Sequence, residues 1–167
     1  MNRDNFKETA FILNTCAANE SVRAETYDFL ADAYRDNPQI AALFRKTANE
    51  ERNHEYQFLL ALKKFVPAIS GSVVGVDWVE KYSSFANQSF QSIKEELPTI
   101  EDALKMSILA ETAFRQFHMD TSVYFQDSSL AALFKAMMAG DDEHVASLKH
   151  AHADYLREAA SHAGKDR

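Results

Sequence analysis

Two short stretches carry residue types that bind metals. Glu51 and His54 close the segment IAALFRKTANEERNH at residues 40–54, and Asp141 and His144 close LAALFKAMMAGDDEH at residues 130–144, the same pattern written again ninety residues later. In each copy a carboxylate stands three residues before a histidine. Carboxylate oxygen and neutral imidazole nitrogen suit iron or manganese and leave coordination positions open for oxygen or peroxide.

Steps of four and three keep side chains on one side of a helix. Extended that way, the first copy reads Ile40, Phe44, Thr47, Glu51, His54, Phe58, Ala61, Phe65, and the second Leu130, Phe134, Met137, Asp141, His144, Leu148, Ala151, Tyr155. Both are apolar stripes broken at the same level by the polar pair, which must therefore point into a core. A buried charge needs a compensating partner.

The elements that position these residues are helices. The chain has 167 residues, 46% of them hydrophobic, which is ample for one domain with a real core, and only four glycines and three prolines, too few turn signals for an all-β fold. One helix is expected over residues 4–37, with the stripe Phe6, Ala10, Leu13, Ala17, Glu20, Ala24, Tyr27, Ala31, Tyr34, and a second over 38–65 after Asn37-Pro38. Residues 66–98 read as a long crossover with a short helix of its own, Trp78, Tyr82 and Phe85 packing down. Thr99 and Asp102 resemble a capping box that opens a helix over 99–126, whose face runs through Leu104, Ile108, Glu111, Phe114, His118 and Phe125. Asp127-Ser128-Ser129 turns the chain into a last helix over 129–160. The expected architecture is all-α: a single four-helix bundle spanning residues 1–167, up-down-down-up, with the long crossover between its second and third helices.

Register then gathers the polar residues. Glu20 and His54 each lie seventeen residues from the first turn, and Glu111 and His144 lie seventeen and sixteen from the second. Four carboxylates, Glu20, Glu51, Glu111 and Asp141, and two imidazoles, His54 and His144, therefore fall at one depth. Four bare carboxylates raise one another's pKa steeply, and two divalent cations would balance them.

Composition narrows the partners. A net charge of -7 without a clustered basic stretch argues against nucleic acid or an anionic membrane. No window approaches a transmembrane span, and the apolar run at residues 10–13 is too short for a secretory core. Cys16 is the lone cysteine, so no intramolecular disulfide or Cys-x-x-Cys site exists; this fits a cytoplasmic location, with Cys16 a small core residue.

The stretches NESVRAETYDF around Glu20, NEERNH, AET around Glu111 and GDDEH together resemble the ferritin-like di-iron carboxylate proteins, most closely the di-iron domain of the rubrerythrins. The resemblance implies two iron ions, with manganese or zinc as alternatives. It makes Glu51 and Asp141 bridging ligands, Glu20 and Glu111 terminal ones, and gives one metal to each of His54 and His144. It implies redox chemistry with hydrogen peroxide or oxygen, and pairing into a homodimer. Three departures stand out: one cysteine, hence no rubredoxin domain and a separate electron donor; Phe114 where the family places a second Glu; and Asp141 in place of the usual Glu, shorter by one methylene.

Tyr27 and His118 occupy corresponding places after Glu20 and Glu111 and are read either as hydrogen-bond partners of the ligands or as an ordinary core tyrosine and histidine. Glu25, Asp142, His150, His152 and His162 are read as surface or rim groups. Two alternatives stay open beside the oxidoreductase: an iron-binding ferroxidase or carrier, and a metal-free helical interaction module.

Overall fold

The computed structural model describes residues 3–65, 76–122 and 128–163, and among them five helices and no strand. They are α1 (Arg3–Ala33), α2 (Pro38–Phe65), α3 (Val76–Glu95), α4 (Ile100–Ser122) and α5 (Ser128–Ala163). The helices α1 and α2 pack along each other as one hairpin, α4 and α5 as another, and α2 meets α5 where the hairpins join.

The apolar residues of the bundle form two clusters, and these give each helix its direction. One holds Leu13 and Cys16 from early α1, Phe58 from late α2, Phe117 from late α4 and Phe134 from early α5. The other holds Leu30 and Tyr34, Phe44, Leu104 and Leu148, from the opposite halves. Four helices thus run up, down, down and up, α3 carrying the chain back between α2 and α4. The apolar stripes explain why each helix buries the face it does. Where the stripes turn polar, between the two clusters, lie Glu20, Glu51, Glu111 and Asp141, each 0% exposed.

The ends of the helices correct two expectations. Helix α1 stops at Ala33 instead of residue 37, because Asn37 caps α2: its side-chain Oδ1 accepts from the Ile40 N–H at 3.2 Å and its carbonyl from Ala41. Pro38 holds Asn37 out of helical geometry, so residues 34–37 must turn. The crossover helix α3 is twenty residues long, not short, and lies on α1. Its inward face is Val79, Ala86, Phe90 and Ile93, with Tyr82 partly buried 4.8 Å from the Phe117 ring. Phe85, one residue off that face, is 48% exposed rather than packed down. The side chain of Trp78 lies outside the described ones, as do Phe125 and the start of the second turn at Asp127.

The capping box at the start of α4 forms: the Asp102 N–H donates to Thr99 Oγ1 at 3.2 Å, and the Thr99 hydroxyl donates to the Asp102 carboxylate at 2.8 Å. That fixes where α4 begins and hence the level of Glu111.

Candidate metal centre

The two helical hairpins bury all six ligand-type residues of the sequence pattern, and five of them gather into ligand groups that Asp141 does not join. His54 Nδ1 stands 3.4 Å from Glu51 Oε2 on its own helix and 3.9 Å from Glu20 Oε2 across the first hairpin. On the other side, His144 Nδ1 lies 3.1 Å from Glu51 Oε1 and 3.2 Å from Glu111 Oε2. Two groups result, Glu20, Glu51 and His54, and Glu51, Glu111 and His144, each with ligand atoms within 4.8 Å of one another. Glu51 belongs to both, and the His54 and His144 rings stack with centroids 5.7 Å apart.

Sequence reasoning missed the residue at the middle of this layer. Arg23, 5% exposed, donates from Nη1 to Glu20 Oε2 at 2.8 Å, and from Nη2 to Glu51 Oε1 at 2.8 Å and Glu111 Oε2 at 2.5 Å. Its guanidinium also lies 4.3 Å above the Phe114 ring. Arg23 escapes the stripe of α1 because the stripe steps by four from Glu20 to Ala24 and passes over it, leaving it on the adjoining face with Ile12, Cys16 and Leu30. The internal repeat is the signal that points to it. Glu20 and Glu111 are ninety-one residues apart, and so are Arg23 and Phe114.

The same separation relates Tyr27 to His118, and each reaches across to the other hairpin's carboxylate. The Tyr27 hydroxyl donates to Glu111 Oε1, while His118 Nε2 lies 3.1 Å from Glu20 Oε1 and its Nδ1 2.7 Å from Asp141 Oδ2. With a carboxylate at each ring nitrogen, both nitrogens of His118 are placed to donate, and the ring is held as an imidazolium. Burial alone would lower its pKa; the hydrogen bonds to Asp141 and Glu20 outweigh burial and bring it up to about 9. His144 follows the same logic through Glu111 and Glu51, against burial, and reaches about 10. Burial raises Glu111 too, but the Arg23 charge and the His144 hydrogen bond win and hold it at about 2. Glu20 moves up, driven first by burial against the pull of Arg23, and burial also lowers His54.

The layer is unevenly satisfied, and that tests its fit to metal. Glu51 Oε2, His54 Nδ1 and Asp141 Oδ1 are buried with no hydrogen-bond partner among the described residues, although most buried polar groups have one. Two ligands of one ion, at bond lengths of about 2.0–2.2 Å, stand roughly 3–3.5 Å apart, close to the separation of Glu51 Oε2 and His54 Nδ1. On the Glu20, Glu51 and His54 side, Glu51 Oε2 and His54 Nδ1 thus fit a divalent cation, while Glu20 has its oxygens facing Arg23 Nη1 and His118 Nε2. The Glu51, Glu111 and His144 side has its two facing oxygens engaged by Arg23 Nη2.

Neighbouring positions shape the site. A Cβ on Gly140 would come within 3.0 Å of His54 Nε2, so this glycine makes room for the ring. A cavity of about 260 Å³ between α1, α3 and α4 ends on Arg23, Tyr27 and Phe114, with Phe85, Met106 and Leu109 at its mouth. The groups read as surface residues lie outside the layer: Glu25 is exposed, Asp142 is exposed and paired with Arg115, and exposed His150 faces Asp154. His152 is partly buried, and the side chain of His162 lies outside the described ones.

The sequence profile of the rubrerythrin family matches residues 12–121. That span holds Glu20, Arg23, Glu51, His54, Glu111 and Phe114; Asp141 and His144 follow it on α5. No curated protein and no solved structure matches the chain. The matched span covers most of the chain and holds the three glutamates of the buried layer, on α1, α2 and α4; the chain belongs to the rubrerythrin family.

Proposed function

We propose that the buried layer binds iron and that the protein is an oxidoreductase acting with hydrogen peroxide or oxygen, its electrons coming from a separate donor. The observation that carries this reading is the set of unpaired ligand atoms, Glu51 Oε2, His54 Nδ1 and Asp141 Oδ1, inside a rubrerythrin-family bundle. Six residues, Glu20, Glu51, His54, Glu111, Asp141 and His144, form the ligand set. Bound iron supplies the change of oxidation state that no side chain here offers.

The protein's share is positioning, charge balance and exclusion of water. Tyr27 orients Glu111, and His118 orients Glu20 and Asp141 while holding a proton at Nε2. The apolar walls of the cavity beside Phe114 keep the layer in a low dielectric, where its charges act strongly on one another. A second reading, a metal-free helical module, draws on Arg23, which pairs three of the four carboxylates without any ion.

Metal content of protein purified without added metal or chelator, beside a Glu51→Ala/Asp141→Ala control, tests the proposal. Iron that is present in the wild type and lost in the control supports it, and peroxide consumption with a reduced donor then separates an enzyme from an iron carrier. Absence of metal after anaerobic ferrous loading leaves the metal-free module. Pairing of two chains belongs to the same proposal. Tyr56, Leu59 and Leu60 expose apolar surface on adjacent turns of α2, and sedimentation equilibrium reads the mass directly.

A further inference from the structure

The geometry points to a centre built for one metal ion and one guanidinium: Arg23 occupies the Glu51, Glu111 and His144 half of the layer, and a single divalent cation takes the Glu20, Glu51 and His54 half. The inference rests on the proposal that this layer binds metal, and it changes how many ions it binds.

The asymmetry is in the hydrogen bonds. On one half, Arg23 Nη2 sits 2.8 Å from Glu51 Oε1 and 2.5 Å from Glu111 Oε2, the same two oxygens that face His144 Nδ1 at 3.1 and 3.2 Å. An ion there would compete with a fixed positive charge for the lone pairs it needs. A guanidinium stays protonated in proteins, so it cannot yield by losing its charge. Nor is Arg23 free to swing away. It leaves α1 one turn after Glu20, is bonded to it at 2.8 Å, and rests on the Phe114 face at 4.3 Å.

The other half is only partly engaged: Glu20 gives Oε2 to Arg23 Nη1 at 2.8 Å and Oε1 to His118 Nε2 at 3.1 Å, but the remaining ligand atoms there are free. Glu51 Oε2, His54 Nδ1 and Asp141 Oδ1 have no hydrogen-bond partner among the described residues, and Asp141 Oδ1 stands 3.9 Å from Arg23 Nη2, too far to be bonded. One carboxylate, Glu51, thus gives one oxygen to the guanidinium and keeps the other free for an ion. Of the four buried carboxylate charges, Arg23 offsets one and a divalent ion would offset two.

Phe114 completes the device. A carboxylate at that position would add a fifth negative charge and a further ligand on the Arg23 side; the phenyl ring removes both and gives the guanidinium a face to stack on.

Manganese(II) titration, read by elemental analysis and by electron paramagnetic resonance, tests the count without relying on turnover. The wild type is expected to bind one ion per chain with the spectrum of an isolated ion. His54→Ala should abolish binding and His144→Ala should retain it. Arg23→Met should raise the count to two, with a spectrum showing coupling between neighbouring ions. Two coupled ions in the wild type, or equal loss in both histidine variants, would overturn the inference and leave the metal proposal standing. No binding by the wild type or any variant would bring down both. If Arg23→Met does not fold, the two histidine variants in the Arg23 background still decide the question.

Discussion

The residue that governs this layer is Arg23, and its effect follows from burial. A guanidinium bonded to Glu20, Glu51 and Glu111 in the core is worth little net stability beside an apolar replacement of the whole group, but removing it alone strands three carboxylates. Arg23→Met should therefore cost the metal-free protein roughly 3–5 kcal/mol in urea unfolding. Tyr27→Phe removes one donor to the buried Glu111 carboxylate and should cost about 1.5–3 kcal/mol by the same measurement. The six ligand-type residues were legible because each interrupts an apolar stripe at the same level. Arg23 was not, because it lies one position off the stripe and reaches the layer by side-chain length. Glu51 is paired even without metal, because Arg23 and His144 both face its Oε1. Substituting Glu51 thus removes one of the three partners of Arg23 in either reading, so its effect on stability does not discriminate between them and metal content does.

At the scale of the helix, where an element begins decides what it delivers. Thr99 fixes the start of α4 and so the level of Glu111; Thr99→Ala should lower stability by about 1 kcal/mol in urea unfolding, with the loss of one cap. Gly140 acts differently. An alanine there gains roughly 1 kcal/mol of helix propensity, yet its Cβ meets His54 Nε2 at 3.0 Å and Cε1 at 3.3 Å. Gly140→Ala should leave thermal unfolding near the wild type while weakening manganese(II) binding in an equilibrium titration, because the ring must shift to admit the methyl group. The periodicity of α1, α2, α4 and α5 and the capping box made these helices readable from the chain. The length of α3 was not, because its aromatic residues do not keep one face: Tyr82 lies with Val79 and Ala86, while Phe85 falls one residue off. The end of α1 was misplaced because Asn37 serves the helix that follows it.

For the whole molecule, the layer's charges are largely compensated by its own residues, so metal removal should not unfold the bundle. Protein stripped with a chelator is expected to keep its helical circular-dichroism signal and to melt at a lower temperature than the loaded form, the gap growing with free metal as binding to the folded state requires. Loss of helix on chelation would instead mean that Arg23 and the histidines do not hold the layer by themselves. The charged layer also lies between two apolar clusters that share no residue, which puts a seam across the middle of the bundle. Each end of the molecule is then expected to open as its own cooperative unit. Amide hydrogen exchange of the metal-free chain should sort into two groups of opening energies, one around Phe58 and Phe134 and one around Phe44 and Leu104. An ion bound to Glu20, Glu51 and His54 ties α1 to α2 at the seam, and the two groups should draw together into one.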